Sequence, residues 1–410
     1  MPASQNLLQT RQRTSLWHNR DYMILWSGQL VSAFGSRVSV IATPLLIVSL
    51  TGSPALAGLI FALGTLPGVV LSLPAGALID RWNRKSVMIV CDCGRAIALG
   101  SIPVAAALSH LTIFHLALAI LLEGILTPFF ALAQSASLPR IVEKEQLSQA
   151  VAQNQVLVAS SQLLGPALGG LFYGIRQTFP FLVDGISYVF SVVSLCFIKK
   201  PLQNQPLAVR QKLSTEIIEG MRWLWRHPVL RFLTILHWGL VTPTAGWVLL
   251  FEQLAQHLHA TALTTGLILA CCGLGNIVGS LLAGPLLSRF RAGQIFFVTI
   301  WLWVLSWLPL TVVPNLWSFA LVNVSTFIIA SIYLVAQASY QLSLIPDHMQ
   351  GRVNSIIHLL VNGSTPLGIV LTGLLIQLIG PVGTVLALFA PQLLLAVIMT
   401  LFYRRLVALS

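Results

Sequence analysis

Residues 56–108 read LAGLIFALGTLPGVVLSLPAGALIDRWNRKSVMIVCDCGRAIALGSIPVAAAL. Two long apolar runs flank a short turn carrying Asp80, Arg81, Arg84 and Lys85. About 20 apolar residues in a helix cross the hydrocarbon core of a bilayer, and runs this uniformly apolar do not fit the alternation of a membrane β-strand. The pattern recurs along the chain, giving spans roughly at 22–50, 56–79, 86–108, 112–134, 149–175 and 178–198, then roughly at 231–254, 261–287, 293–313, 316–342, 353–377 and 382–403. Of the 410 residues, 56% are apolar and 8% charged, against about 45–50% and about 25% in a soluble domain. That excludes a water-soluble globule and predicts an all-α polytopic membrane protein of about twelve transmembrane helices.

The net charge of +12 comes from basic residues that fall between the apolar runs. Twenty of the 23 Lys and Arg sit in the terminal tails and every second connection, and the opposite set of connections holds only Arg176. Cytoplasmic loops carry the positive excess, so both termini are expected in the cytoplasm, with the chain in the plasma membrane. No basic helix, basic–aromatic stripe or zinc-finger spacing points to nucleic acid. Cys91, Cys93, Cys196, Cys271 and Cys272 lie in apolar runs without a C-x-x-C, so neither a disulfide framework nor a metal site is expected, and no cofactor. The polar start of the chain lacks a cleavage signal ahead of the first apolar run, which reads as a retained span.

A long polar segment divides the chain into a bundle at 1–200, a cytoplasmic linker at 201–230 and a bundle at 231–410. In the linker Leu213, Ile217, Met221 and Leu224 recur at helical spacing before Pro228, giving an amphipathic helix that either lies on the inner leaflet, with Trp223 and Trp225 at headgroup level, or only connects the halves. The halves echo each other: Gly76-Ala-Leu-Ile-Asp80-Arg81 returns 208 residues later as Gly284-Pro-Leu-Leu-Ser288-Arg289, after the eighth span. Six-plus-six duplication is typical of secondary transporters, so the spans are expected to form two pseudo-symmetric six-helix bundles.

These residues resemble the major facilitator superfamily, specifically its drug and siderophore efflux branch, which includes macrolide-efflux and enterobactin-exporter proteins. The likeness covers nearly the whole chain and rests on Gly76 to Lys85, on Leu138-Pro139-Arg140 leading to Gly165-Pro166-Ala-Leu-Gly169-Gly170, on Glu219 to Pro228, and on Pro346 to Val353. The resemblance implies a conformational latch in which the turn of Gly76, Asp80, Arg81, Arg84 and Lys85 engages the region of Gly351 and Arg352. Gly165-Pro166 to Gly169-Gly170 is similar to the helix motif of exporters, with Ser161 where the family often has Gly. Independently of the resemblance, Ser161, Gly165 and Gly169 fall four apart, a small-residue ridge suited to close helix packing, as do Gly275, Gly279 and Ala283.

Ionisable side chains inside spans cost at least about 2.5–3.5 kcal/mol near the bilayer centre, so each needs a partner, water or a function. Arg37 and Glu123 lie at comparable depths, roughly 22 and 17 Å at 1.5 Å per residue. The resemblance implies that the first, fourth, seventh and tenth helices line a central cavity, where both residues can meet. Glu123 is then the expected proton-coupling carboxylate, with a static Arg37–Glu123 ion pair as the competing reading. His237, Trp247, Pro243 and Asn323 are further cavity candidates by helix assignment, and His358 is a second titratable side chain in a span. Asp92 and Arg95, three apart, are expected to pair as scaffold and to support the Asp80 turn. Asp184, near the far end of its helix, is expected to be reached by water.

The expected function is proton-driven export of a small amphipathic molecule by alternating access, by a chain acting as a monomer in lipid. Import or uniport of another solute is the alternative within the class, and a membrane-embedded lipid-modifying enzyme the alternative outside it. The dispersion of the 11 acidic residues argues against the enzyme, and the lack of a G-x-x-x-x-G-K-[ST] loop argues against an ATP-driven pump. The charge count makes one sharp prediction: epitope tags placed at Arg176 and at the C-terminus will be reached from opposite sides of a sealed membrane. Labelling of both from one side would reverse the topology.

Overall fold

The computed structural model describes residues 16–79, 81–200, 202 and 213–407. The first bundle consists of α1 (Arg20–Thr51), α2 (Pro54–Ile79), α3 (Arg84–Ala107), α4 (Ile113–Ile141), α5 (Leu147–Ile175) and α6 (Phe179–Phe197). After α7 (Leu213–Arg226), the second comprises α8 (Pro228–Thr244), α9 (Trp247–His257), α10 (Ala262–Arg289), α11 (Ala292–Leu305), α12 (Leu316–Leu344), α13 (Asp347–Gly363) and α14 (Thr365–Val407). A straight helix of 43 residues would be about 65 Å long at 1.5 Å per residue, about twice the hydrocarbon thickness. Gly380 interrupts it with φ 74° and ψ 172°, and Pro381 starts the second arm. With α8–α9 as one crossing and α13 plus the first arm of α14 as another, the described chain crosses twelve times.

Two crossings are broken where the sequence reading had them continuous. Pro243, which cannot donate to the helical ladder, and Gly246 end α8 and start α9. Ser364 separates α13 from α14, with Pro366 in the first turn of the new helix. Elsewhere the helix starts follow capping chemistry: the side chains of Asn19, Asn83, Thr112, Thr261 and Asn315 accept backbone N–H groups of their own first turns.

The basic residues of the 81–85 turn also cap helix ends. Arg84 Nη1 donates to Ala136 O in the last turns of α4 at 2.7 Å, while Lys85 Nζ donates to Cys196 O in the last turn of α6 at 3.1 Å and to Ile198 O just past it at 2.7 Å. Lys200 Nζ reaches Ile141 O at 3.0 Å. Cations thus meet the carbonyl ends of helices, where the dipole is negative. At the same end, the apolar side of α7 is covered by protein: Leu224 and Met221 pack with Met349, Val353, Ile356 and Ile357 of α13. Trp223 stacks on His227 at 3.7 Å, and Trp225 is exposed. Met221 and Leu224 of the linker helix thus turn to α13, while the side chains of Leu213 and Ile217 lie outside the described residues.

The halves meet at the end of the bundle remote from the termini. There α2 packs on the first arm of α14 and α5 on α10. A side chain at Gly58 would run into the Ile369 carbonyl and Gly373, and one at Gly170 into the Ala262 carbonyl and Gly266. Glycine removes the Cβ that would hold the backbones apart, so the helices touch main chain to main chain. Ser53 Oγ donates across the same seam to Gln377 Oε1 at 3.1 Å. Gly170→Val should wedge this distal seam open, since overpacking of this kind costs typically about 1–3 kcal/mol. Spin-label distances across the distal end should lengthen in that variant, and unchanged distances would contradict the tight contact.

Candidate functional site

Inside the first bundle four helices build one buried polar network. On α3, Asp92 and Arg95 are one turn apart and form an ion pair between Oδ1 and Nη2, both side chains being almost wholly buried. The guanidinium also lies between two rings, its Cζ 4.3 Å from the Phe130 centroid on α4 and 4.4 Å from that of Tyr188 on α6. These faces stabilise a cation where water is excluded. Tyr188 Oη donates to Glu123 Oε1 of α4 at 3.4 Å and lies 2.9 Å from Ser36 Oγ of α1. One turn before Tyr188, the Asp184 carboxylate accepts from Ser39 Oγ of α1 and from Ser187 Oγ at 3.2 Å. Asp92, Asp184 and Tyr188 are fully buried, whereas Glu123 is half-buried.

This placement revises several expectations. The Asp92–Arg95 pair forms as expected, but through Tyr188 it joins Glu123, so it belongs to the network and not to the Asp80 turn alone. Arg37 does not meet Glu123: its stem packs against Gly165 of α5, and no ion pair to it is seen among the described residues. Its position along α1 turns it towards α5, while the serines one residue before and two after it face α6. Asp184 is sealed from water, because α6 buries that face against α1 and α3.

The expected exporter motif divides its work. Gly165 and Gly169 press against Arg37, Val38 and Ile41 of α1, Pro166 and Gly170 meet α10 of the other half, and Ser161 is buried. The second ridge, Gly275 and Gly279, packs on α12. Of the expected latch, Asp80 lies outside the described residues, Arg81 is exposed, Gly76 is half-buried, and Gly351 and Arg352 occupy the first turns of α13.

In the second bundle the candidates sit among aromatic rings. Trp247, the first residue of α9, is half-buried with ring centroids 5.5 Å from Trp307, 5.8 Å from Phe251 and 6.0 Å from Phe327. His237 is buried, 5.9 Å from the Tyr333 ring, which Trp303 meets edge-on at 5.5 Å. His358 is exposed. Asn323 is fully buried; its Nδ2 donates to Phe319 O at 2.7 Å and its Oδ1 has no hydrogen-bond partner among the described residues. Pro243 is buried at the break after α8.

Sequence reasoning missed Tyr188, Ser36, Ser39 and Glu252. The i, i+4 spacing of Asp184 and Tyr188 was a signal for one of them, as it puts both on one helix face. It also missed a cavity of about 420 Å³ at the terminus end, between α1, α4 and α5. Tyr22, Trp26, Gln29, Gln134, Asn154 and Gln155 line it beside Leu25, Leu138, Leu147 and Val151, a largely apolar surface with amides and no formal charge. Gln29 lies two turns, about 10 Å, along α1 from Ser36.

A family model described as transmembrane secretion effector matches residues 15–408, nearly the whole described chain. The chain belongs to this family, within the major facilitator superfamily. It is a transporter and not an enzyme. It is 25% identical over 393 residues to the multidrug efflux pump Tap of Mycolicibacterium fortuitum, covering 92% of this chain and 94% of that protein. It is 24% identical to macrolide efflux protein A of Streptococcus pyogenes, covering 89% and 91%. Its fold is similar to a bacterial homologue of the iron transporter ferroportin in an inward-facing state, with TM-score 0.74 at 16% identity over 94% of this chain and 98% of that one. Within this transporter the buried network gives a stability prediction. Arg95→Met should cost about 3–5 kcal/mol by stranding Asp92, whereas Arg37→Met, which breaks no ion pair, should cost much less. Thermal unfolding in detergent compares the two, and equal losses would contradict the network.

Proposed function

We propose that the transporter exports a small amphipathic molecule in exchange for protons by alternating access, and that Glu123 is the carboxylate that takes up and releases the proton. The observation that carries this reading is the network itself. Three carboxylates lie in this network and only Asp92 pairs with its one guanidinium, Arg95, while Glu123 is held by Tyr188 and Asp184 by Ser39, so full ionisation leaves two negative charges without an ion-pair partner in a dry interior. Protons supply that balance. Glu123 is the half-buried member, on α4, and Tyr188 links it to Ser36 of α1. Movement of α1 relative to α4 changes the surroundings of the acid, and the change couples proton binding to the state of the bundle.

With the termini in the cytoplasm of a plasma-membrane protein, the distal seam is the outer closure and this conformation opens inward. The amide- and aromatic-lined cavity between α1, α4 and α5 then faces the cytoplasm, as a vestibule for a solute with both apolar and hydrogen-bonding surface. The names of the efflux relatives support a solute of the multidrug or macrolide kind. The Asp80 turn and the Gly351–Arg352 region are proposed as the latch that shuts this end when the bundle opens outward, and the charged ties of Arg84 and Lys85 make that end of the first bundle rigid enough to move as a body.

In proteoliposomes, adding a transported macrolide should move protons, and Glu123→Gln should lower that movement at least tenfold while the protein stays folded. Coupled exchange at the wild-type rate in Glu123→Gln would remove Glu123 from the mechanism.

A further inference from the structure

Glu252 is the anomaly of the second bundle. It lies in the middle of α9, its side chain is fully buried, and neither carboxylate oxygen has a hydrogen-bond partner. No cation stands within ion-pair distance of it among the described residues. Its neighbours on α9, Phe251, Leu254 and Ala255, are buried in the apolar core. α9 also reaches across the midline, touching α1 and α2 of the other half.

The groups that face this carboxylate are few. From α5, Tyr173 lies within electrostatic reach, and its hydroxyl is engaged with Ser49 of α1. The distal part of α1, residues 38–51, has no ionisable side chain, and α2 and the first arm of α14 have none. His257, on α9 itself, is exposed at the end of the helix. Glu252 thus has a group of the first bundle, Tyr173 of α5, within electrostatic reach, and α9 itself touches α1 and α2 across the midline. An ionised carboxylate here would have neither water nor a countercharge, an arrangement that proteins avoid.

We propose that Glu252 is a proton-binding site in the seam between the halves, occupied while the distal end is shut and emptied when that end opens to water. The site is separate from Glu123: it rests on the alternating-access reading above but not on the choice of Glu123 as coupling acid. Because closure buries the carboxylate and opening hydrates it, proton binding and closure favour each other by linkage. Acid on the distal side shuts the seam and alkali loosens it, so the site makes the turn towards the terminus-side opening depend on the pH outside that seam.

Spin labels at Gln177 and Thr261, both exposed at the distal end on opposite halves, report the seam in the full chain reconstituted in lipid. The wild type should show the short distance at acidic pH and a longer one at alkaline pH. Glu252→Gln should hold the short distance at both, a complete loss of the shift. Glu252→Met, of similar volume and without polar atoms, is a second neutral variant should the amide impair folding, and the same loss is expected. A wild-type distance that ignores pH, or a shift that survives both substitutions, overturns the proposal. Loss of the shift in Glu123→Gln together with its survival in the Glu252 variants also overturns it, leaving the Glu123 reading intact. Loss only in the Glu252 variants supports the seam site even where Glu123→Gln keeps proton-coupled transport.

Discussion

The cost of an uncompensated charge in hydrocarbon, at least about 2.5–3.5 kcal/mol for a single side chain near the bilayer centre, decides where this molecule places its few ionisable residues. Most of the cations avoid the cost by sitting at helix ends, where they serve twice: they fix which end of each helix stays in water, and several hydrogen-bond carbonyls that the helix leaves open. Arg84, Lys85 and Lys200 are the clearest cases. Inside the membrane the same cost is met by concentration. Arg95 gathers Asp92, two aromatic faces and, through Tyr188, Glu123 into one enclosed site. A charge placed there is held by several partners at once, so disturbing one helix disturbs the energy of all of them.

The second constraint is how closely two helices can approach when no water is present to be expelled between them. Dispersion contacts dominate in lipid, and they favour residues that let backbones touch. The glycines of α2, α5, α10 and α14 do this at the distal seam, where an added Cβ would run into facing backbone. The seventh and eleventh crossings, broken at Gly246 and Ser364, lie beside it. A side chain at Gly246 would collide with Thr372, so the break in one crossing is packed against the helix that follows the break in the other. Continuous helices in the first bundle and interrupted ones in the second make the halves mechanically unequal despite their common pattern.

The sequence made the fold legible to the extent that the bilayer imposes it. Run length, the sorting of Lys and Arg, and the return of the Gly76–Arg81 pattern at Gly284–Arg289 give the twelve crossings and the division into halves without any three-dimensional information. The Asp92–Arg95 pair was legible for the same reason, because three residues of helix determine that two side chains meet. What failed were statements about rotation between helices. Arg37 and Glu123 share a depth, yet depth says nothing of azimuth, and Arg37 turns to Gly165 while Glu123 turns to Tyr188. Asp184 looked water-accessible because its position in the chain is near a helix end; its burial depends on α1 and α3, which are more than a hundred and about ninety residues away. Glu252 was invisible as an anomaly, since a lone acid near the end of a span reads as solvated until the other half is seen to cover it.

The two bundles divide their chemistry unequally. In the first, the interior between α1, α3, α4 and α6 holds carboxylates around an arginine. In the second bundle, Tyr333 is stacked by His237 and met edge-on by Trp303, and residues 231–410 contain only Glu252 and Asp347 as acids. Duplication supplied the same scaffold twice, so the difference lies in side chains added to it. On the proton-exchange reading proposed above, protonation favours one arrangement only where a site's proton affinity differs between the two states. With the carboxylate–arginine network in one half and an unpartnered acid on α9 of the other, the proton exchange proposed above would act on helix positions through two differently built sites.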